Sequence, residues 1–488
     1  MNKHLISPKK ETQESRINIF DPALRSRKVK KLRLSKFVHA FIQPEIVALY
    51  HSLTHEVIYL DPLLYSSLTN GINLNKWSRT RKYQEVIRKL LYAGFLVSSQ
   101  YSESAILQEI SKKFLDQPAI GILYLLLTDY CNLRCRYCFI ERTLSSNHTF
   151  SWMTPEIATE GIQFFAKVLK ENPPQRSIRQ PQIIFYGGEP LLNQKTFEAS
   201  LSEISRLKTE KQLPANTKIS VITNGTVLTQ KILRLLKRYK VAVSISLDGP
   251  KAIHDANRIF RNYKGTFHRV INNLKLLQRE GIEVSVSCTI NFNNIDNLEK
   301  IYCWFIKLGI KTLGFNLLID VPGNIQVDEN YAKKATEKII ECFKIGRKKG
   351  IYEDRIMRKV KAFVERKLHL VDCGGCGNQI VITPDGRIGP CQAYLGRQEY
   401  FPGTVQNIQK FNVFEDPLFR EWSQRSPFNI PFCSFCEALG LCGGGCPYNA
   451  QLKSGSIWEI DPHFCIHSKT ILEWLIWDLY KQTREEVN

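Results

Sequence analysis

Six short apolar runs between positions 121 and 319 are separated by stretches in which apolar residues recur every three or four positions. The runs read GILYLLLT, QIIFYG, KISVIT, VAVSISLDG, EVSVSCTI and TLGFNLLI. Runs of this length are typical of buried strands, and the stretches between them have the spacing of amphipathic helices. Strands that alternate with helices form a mostly parallel sheet. The pattern therefore predicts an α/β core over residues 116–335.

A different pattern occupies residues 34–115, where short strand-like segments precede helical ones. Three strands are predicted at Lys36–Ile42, Ile46–Tyr50 and Glu56–Leu60. Tyr83–Ala93 has helical spacing, and Gly94 is a stop signal before a further strand. This order resembles a winged helix, and in particular the peptide-binding domain called a RiPP recognition element, which binds leaders of ribosomally made peptides. An unrelated packing domain is the alternative interpretation.

Three further segments complete the predicted domain organisation. Residues 1–33 are polar, basic and aperiodic, which predicts a disordered, solvated arm. Residues 336–370 have charged helical sequence and are predicted to bridge to a last domain at 371–488. Near the end of that domain, ILEWLIWDLY has the apolar stripe of a helix that packs against the rest of the protein.

Three cysteines follow the first apolar run at the spacing Cys-x3-Cys-x2-Cys, namely Cys131, Cys135 and Cys138. A [4Fe-4S] cluster normally takes four thiolates, so three on one loop leave one iron open to a substrate. A zinc knuckle or buried thiols are the alternatives. The segment CNLRCRYC after a strand resembles the cluster loop of radical S-adenosylmethionine enzymes. The resemblance implies that the open iron chelates S-adenosylmethionine, whose reductive cleavage gives a 5'-deoxyadenosyl radical.

Each later strand of the core is followed by a loop with turn residues, at the edge where parallel sheets bind ligands. Taken singly, these loops are also compatible with ordinary tight turns. They are Gly187–Pro190, Thr223–Gly225 and Asp248–Pro250. Four distinctive loops at one edge, counting the cysteine loop, favour a ligand site.

The loop GGEP resembles the family segment that binds the amino group of S-adenosylmethionine. The resemblance implies that Gly187 and Gly188 allow close backbone approach and that Glu189 supplies a negative charge for the ammonium group. Ser246 and Arg258 match the family's serine and arginine that contact the cofactor. The resemblance covers about 200 residues and implies a partial (β/α)6 barrel. No catalytic side chain beyond the cluster and cofactor site is assigned.

Eight further cysteines lie in the last domain, where a pair of zinc sites is the alternative. The series resembles the SPASM extension, which implies two auxiliary [4Fe-4S] clusters and thus three clusters in all. The first would be held by Cys373, Cys376, Cys391 and Cys446. The second would be held by Cys433, Cys436, Cys442 and Cys465. The short gap between Cys373 and Cys376 departs from the family pattern; without Cys373, the first auxiliary cluster would have an open iron.

Charge and composition narrow the choice of partners and compartment. The 68 Lys and Arg against 46 Asp and Glu give a formal charge of +22, which favours acidic partners. This charge raises the alternative of a nucleic-acid-binding protein with structural metal, but no RNA-recognition signature is present, so no nucleic-acid partner is expected. The polar N-terminal segment and the short apolar runs predict a cytoplasmic protein without a membrane partner. Fourteen cysteines in a reducing compartment favour metal sites over disulfides.

The resemblance implies a peptide maturase that abstracts hydrogen from a side chain or the backbone of a ribosomal precursor peptide, installing a cross-link or other oxidative modification. Its expected partners are that peptide and a reductase such as flavodoxin or ferredoxin. The alternative within the superfamily is an anaerobic sulfatase maturase, which oxidises Cys or Ser to formylglycine. That family places an aspartate base directly after the cysteine matching Cys391, whereas this chain has Gln392. Glutamine cannot accept a proton at neutral pH.

Overall fold

The computed structural model describes residues 31–69, 81–145, 147–172, 180–319 and 327–485. The chain divides into two compact units. Unit 1 spans Met1–Ser52 and Glu56–Phe114, and unit 2 spans Leu53–His55 and Leu115–Asn488. The predicted basic arm lies outside the described residues except for its last three positions.

The described residues of unit 1 form a three-stranded antiparallel sheet, a two-stranded antiparallel sheet and three helices. Its elements are β1 (Leu32–Leu34), β2 (Val38–Gln43), β3 (Ile46–His51), β4 (Val57–Leu60), α1 (Pro62–Thr69), α2 (Arg81–Tyr92), β5 (Leu96–Ser98) and α3 (Ser104–Phe114). The larger sheet has the order β2-β3-β4, and β1 pairs with β5. Gly94 has a φ of +76°, which ends α2 before β5. Leu49, Leu90 and Phe95 lie in the fully buried core of this unit.

Unit 2 is organised around one ten-stranded sheet. Its strands are β6 (Ile122–Thr128), β7 (Gln182–Gly187), β8 (Lys218–Thr223), β9 (Ala242–Ser246), β10 (Val284–Thr289), β11 (Thr312–Asn316), β12 (Tyr352–Glu353), β13 (Gln379–Ile382), β14 (Arg387–Gly389) and β15 (Gly403–Thr404). The six strands predicted from the apolar runs are β6 to β11, which are adjacent and parallel in chain order. The predicted α/β core is confirmed.

Several of the described helices of unit 2 begin at a residue whose side chain caps them. The helices of this unit are α4 (Phe139–Thr143), α5 (Pro155–Glu171), α6 (Gln194–Thr209), α7 (Gln230–Arg238), α8 (Lys251–Asp255), α9 (Phe267–Arg279), α10 (Leu298–Lys307), α11 (Glu329–Arg347), α12 (Asp354–Glu365), α13 (Pro417–Gln424), α14 (Leu439–Cys442), α15 (Pro447–Ser454) and α16 (Pro462–Glu485). The side chains of Thr154, Asn193 and Thr229 accept backbone N–H groups at the starts of α5, α6 and α7. None of the described helices is both long enough and apolar enough to cross a membrane.

The sheet continues beyond the six predicted strands, because β13 pairs in parallel with β6 on its open side. The register runs from Gln379 opposite Ile122 to Ile382 opposite Leu125. All four residues of β13 are buried. Pairing covers an edge of β6 that would otherwise leave buried backbone groups unsatisfied. The cysteine-rich segment is therefore joined to the core by main-chain hydrogen bonds.

Helix α11 crosses the predicted boundary between the core and the helical bridge and packs against the C-terminal helix α16. Asp328 caps α11, which runs through position 335, where the sequence pattern placed the end of the core. No break in apolar spacing marks that position. Helix α11 packs on α16, where the rings of Phe343 and Trp474 lie 5.6 Å apart. The C-terminal helix thus packs against the bridging segment, through the tryptophan-bearing stripe noted in the sequence.

Candidate active site

A cavity of about 1360 Å³ runs along the parallel strands of unit 2 and reaches their carboxyl ends. The strand ends that line it include Gly187, Thr223, Ser246, Thr289 and Asn316. The thiols that line it are those of Cys131, Cys135, Cys138, Cys373, Cys391 and Cys446. The cysteine loop after β6 therefore shares one cavity with three of the four cysteines predicted to hold the first auxiliary cluster, namely Cys373, Cys391 and Cys446.

The cysteine loop is held by the segment that follows α8. The backbone N–H of Arg134 donates to the carbonyl of Ile259 at 2.8 Å. Arg261 Nε donates to the carbonyl of Cys131 at 2.7 Å. These bonds join residues about 130 positions apart, so they preorganise the loop only in the folded chain.

Burial dominates the chemistry of the three loop thiols. It raises the pKa of Cys135 to about 12, and it raises the pKa of Cys131 as well, with the neighbouring Cys135 as the next cause. Leu133 N–H and Asn224 Nδ2 donate to Cys131 Sγ at 3.4 Å and 3.7 Å. Buried thiols of this kind lose their protons when a cation binds them. Three such donors on one loop fit the thiolate ligands that a [4Fe-4S] cluster takes.

The two glycines of the GGEP loop allow a close approach between β7 and the cysteine loop. Gly187 has a φ of +132°, and a Cβ there would lie 2.2 Å from the carbonyl oxygen of Thr128. A Cβ on Gly188 would lie 2.2 Å from the carbonyl oxygen of Tyr130. Gly188 N–H instead donates to Thr128 at 2.8 Å. The close approach inferred from the sequence is therefore an approach to the chain's own backbone at the start of the loop.

Glu189 is fully buried and is not part of the cavity wall. Its carboxylate accepts hydrogen bonds from Leu191 N–H at 3.1 Å, Thr223 Oγ1 at 2.7 Å and Asn224 N–H at 2.7 Å. Burial raises its pKa to about 7, against the opposing effect of these donors. In this arrangement the carboxylate ties the loop after β8 to the loop after β7. Its expected contact with a ligand ammonium group stays a prediction.

Arg258 lines the cavity and forms a buried ion pair with Asp248, Nε to Oδ2 at 3.1 Å. The guanidinium lies 5.3 Å from the centre of the Tyr137 ring. The Tyr137 hydroxyl also donates to Asp248, whose other oxygen accepts from Thr289 N–H at 3.1 Å. Asp248 therefore anchors both Arg258 and the tyrosine that stands between two loop cysteines. Sequence analysis treated Asp248 only as a turn residue, although its place directly after a core strand was a signal.

Ser246 ends β9, lines the cavity and pairs in register with Ser287 of β10. The structure thus places Ser246 and Arg258 on the same cavity as the cysteine loop. Glycines 187 and 188 line it too. Of the predicted cofactor-binding residues, Glu189 alone is absent from the cavity wall.

The first C-terminal group of thiols contains Cys373, Cys376, Cys391 and Cys446. A hydrogen bond from the Cys376 thiol lowers the pKa of Cys373 to about 7. Burial and then the thiolates of Cys373 and Cys446 raise the pKa of Cys391. The short gap between Cys373 and Cys376 forms a turn, closed by a bond from Cys376 N–H to the carbonyl of Cys373 at 3.0 Å. Cys373 therefore lies among its three predicted partners.

The second group contains Cys433, Cys436, Cys442 and Cys465. Burial raises the pKa of Cys433 to about 12, followed by the charges of Cys442 and Cys465. Burial also raises the pKa values of Cys436 and Cys465, and Cys442 acts on both. In the described part of the chain, no three His, Cys, Asp or Glu side chains are arranged to hold a metal ion. The electrostatic neighbours of these thiols nevertheless include their predicted partners, and a division into two groups of four suits four-thiolate ligation. Their role as ligands stays a prediction.

Gln392 lines the cavity directly after Cys391. Its Oε1 accepts a hydrogen bond from Gln379 Nε2 at 3.3 Å. A neutral amide therefore occupies the position at which sulfatase maturases are expected to carry a base.

Comparisons with known proteins agree with this geometry. Residues 125–305 match the model of the Radical SAM superfamily. The radical SAM cyclopropyl synthase TigE of Paramaledivibacter caminithermalis is 25% identical over 480 residues, covering 92% of this chain and 96% of TigE. The cysteine-type anaerobic sulfatase-maturating enzyme of Clostridium perfringens is 27% identical over 369 residues, covering 73% and 96%. Streptococcus suis SuiB, in its crystal structure with precursor peptide SuiA, has the same fold, with a TM-score of 0.51 and 16% identity over 89% of this chain and 99% of SuiB. The chain is therefore a radical SAM enzyme, of a superfamily whose cofactors are a [4Fe-4S] cluster and S-adenosylmethionine.

Proposed function

We propose that this enzyme modifies a ribosomally made precursor peptide by abstracting a hydrogen atom from a side chain or the backbone. The product is a cross-link or another oxidative modification. The observation that carries this proposal is the single cavity lined both by the three-thiol loop and by thiols of the first C-terminal group. A peptide placed there lies beside a radical source and beside an electron acceptor at once.

The chain's own residues divide into three cluster-holding groups. Cys131, Cys135 and Cys138 would hold the catalytic cluster, and each group of four C-terminal cysteines would hold one auxiliary cluster. When bound, the catalytic cluster with S-adenosylmethionine supplies a 5'-deoxyadenosyl radical, and the auxiliary clusters supply one-electron redox centres. Ser246 and Arg258 are proposed to contact the cofactor, with Asp248 fixing the guanidinium. Gly187 and Gly188 keep the cysteine loop close to β7.

The relatives support a peptide substrate. SuiB, which shares the fold, is bound to a precursor peptide in its crystal structure. TigE, which aligns with 92% of this chain, is a cyclopropyl synthase. Together these similarities favour modification of a peptide, while the kind of bond formed is left to experiment.

A sulfatase-maturating activity is the second candidate, because 27% identity extends over 73% of this chain. That activity would need a base where Gln392 lies. The Gln392 amide is already an acceptor for Gln379 and cannot take up a proton. The peptide maturase is therefore the better supported of the two.

An electron donor is also required, and we propose a small carrier such as flavodoxin or ferredoxin. The net charge of +22 would increase its encounter rate with an acidic carrier at low salt. Nucleic acid is not proposed as a partner.

A comparison of two substrates tests the proposed function. Anaerobically reconstituted protein with S-adenosylmethionine and a reductant receives either a candidate precursor peptide, sought among the open reading frames next to its gene, or a sulfatase-derived peptide with its target cysteine. We expect 5'-deoxyadenosine and a mass change, such as loss of two hydrogens, with the precursor peptide alone. Liquid chromatography with mass spectrometry measures both. Formylglycine in the sulfatase peptide, with the precursor unchanged, would assign the enzyme to sulfatase maturation instead.

We further propose that residues 34–115 bind the leader of the substrate peptide by strand addition. In the described part of unit 1, β2 and β4 are the outer strands of the three-stranded sheet, and β3 is paired on both sides. An outer strand can offer N–H and C=O groups to an extended peptide, whose alternate side chains enter pockets. The apolar side chain of Ile42 at the end of β2 is 66% exposed. The basic segment Lys28–Lys36, of which residues 31–36 are described, would attract an acidic leader.

Hydrogen exchange on the full-length protein tests this leader site. Adding the precursor peptide should slow exchange of amides in β2 or β4, while amides of β3 change little because they are already bonded within the sheet. A peptide with a scrambled leader is the matched control and should protect neither strand. Protection of amides in unit 2 alone would contradict the proposed leader site, but it would not contradict the proposed maturase activity.

A further inference from the structure

Arg425 is a fully buried arginine that directly follows α13. Its Nε donates to the carbonyl of Ile457, and its two terminal nitrogens donate to the carbonyls of Gly444 at 2.8 Å and Glu459 at 3.3 Å. All three of these acceptors are neutral main-chain carbonyls. The charge of the guanidinium still needs an anion, because backbone dipoles compensate a buried ion incompletely.

The other buried cations of unit 2 show what is missing at Arg425. Lys359 lies 3.8 Å from a carboxylate oxygen of Asp372, and Arg258 lies 3.1 Å from one of Asp248. Among the described residues, Arg425 forms no ion pair with any carboxylate; its three side-chain bonds all go to main-chain oxygens. A buried guanidinium in this setting indicates that another kind of anion faces it.

The positive charge of Arg425 lowers the pKa values of cysteines in both auxiliary groups. Its electrostatic neighbours are Cys373, Cys376 and Cys446 in the first group and Cys433 in the second. The Gly444 carbonyl that it binds stands between Cys442 and Cys446, which belong to different groups. The guanidinium therefore binds the turn that connects the two sets of thiols, and its charge acts on cysteines of both sets.

We propose that Arg425 is the shared counter-cation of the two auxiliary clusters and raises the reduction potential of both. The inference rests on the cluster assignment proposed above. Reduction adds one electron, and hence one negative charge, to a cluster already surrounded by four thiolates. A fixed positive charge nearby stabilises the reduced form more than the oxidised form. Arg425 thereby makes each auxiliary cluster a better acceptor for an electron that leaves the substrate.

The geometry also explains why this position suits arginine. The planar guanidinium offers donors in several fixed directions, and here it reaches three carbonyls on two segments while remaining charged. A lysine would keep the charge but would lose most of this directional bonding. A substitution by lysine can therefore separate the effect of the positive charge from the effect of the hydrogen bonds to the carbonyls.

Redox titration of the reconstituted enzyme, followed by electron paramagnetic resonance, tests the proposal. Arg425→Met should shift the midpoint potentials of both auxiliary clusters to more negative values and leave that of the catalytic cluster unchanged. Arg420→Met is the matched control, because Arg420 is exposed on the adjoining helix α13. That variant should leave all three potentials as in the wild type.

Arg425→Lys separates the electrostatic role from a structural one. We expect it to keep potentials close to the wild-type values while its melting temperature falls, because carbonyls lose their donors. If Arg425→Met does not retain iron, the lysine variant decides: retained iron with wild-type potentials supports the proposal, and equal loss of iron overturns it. Auxiliary potentials that do not move in an iron-replete Arg425→Met also overturn it. A wild type with about four rather than about twelve iron atoms would instead refute the cluster assignment itself.

Discussion

Replacing Cys135 by alanine is expected to abolish the formation of 5'-deoxyadenosine. The thiols of Cys131, Cys135 and Cys138 are the ligands proposed for the catalytic cluster, and all three line the cavity. The variant keeps only two of the three thiolates that hold the catalytic cluster, which is too few to retain it. Cleavage of S-adenosylmethionine then has no electron source. Chromatography of an anaerobic reaction with S-adenosylmethionine and a reductant measures the nucleoside.

Iron analysis of the same variant shows which cluster is lost. The wild type should hold about twelve iron atoms and Cys135→Ala about eight, because the two auxiliary sites remain. Cys303→Ala is the control, since Cys303 is a half-buried thiol on α10 outside the three cysteine groups. It should keep both iron and activity. A wild-type protein purified with stoichiometric zinc and no visible absorbance would refute the cluster assignment.

Cys442→Ala is expected to lose the modified peptide while retaining some 5'-deoxyadenosine formation. Cofactor cleavage depends on the loop cluster, whereas oxidation of the product needs an electron acceptor. Cys442 acts electrostatically on Cys433, Cys436 and Cys465, so its removal disrupts the second group. Quantifying both products in one reaction gives the ratio of 5'-deoxyadenosine to modified peptide, which should rise in this variant.

Cys303→Ala again serves as the matched control for Cys442→Ala and should keep the wild-type ratio of nucleoside to product. Iron analysis must accompany the assay, and about four iron atoms should be missing from the Cys442 variant. Full product formation in protein shown to lack that cluster would mean that the second group is structural or is bypassed.

The apolar pattern predicted the core because each strand there carries its own signal. Strands β7 and β8 begin and end where QIIFYG and KISVIT do. Parallel strands buried on both faces are continuous apolar runs, so a single sequence shows them clearly. The three-thiol loop was equally visible, because its residues lie within eight positions of one another.

Other features depend on partners that no local pattern can connect. Strand β13 has four residues, and its parallel pairing with β6 joins positions more than 250 apart. Its burial follows from the open edge of β6 and not from its own length. The start of helix α11 was missed for a different reason. The side chain of Asp328 caps the helix, and apolar spacing alone does not show a polar cap.

The sequence by itself determined the α/β core and the three cysteines after β6, since the spacing of apolar residues and cysteines carries that information. The two sets of four cysteines were implied only by the resemblance to the SPASM extension. Tertiary structure decided where the side chains point. It turned Glu189 toward the loop after β8, joined Tyr137 to Asp248 across 111 positions, and bound Arg425 to the turn that connects the two cysteine groups. The physical reason is that a buried charge or polar group must be satisfied wherever the fold brings a partner to it. Those partners lie on separate strands and loops, so their meeting is a property of the packed chain.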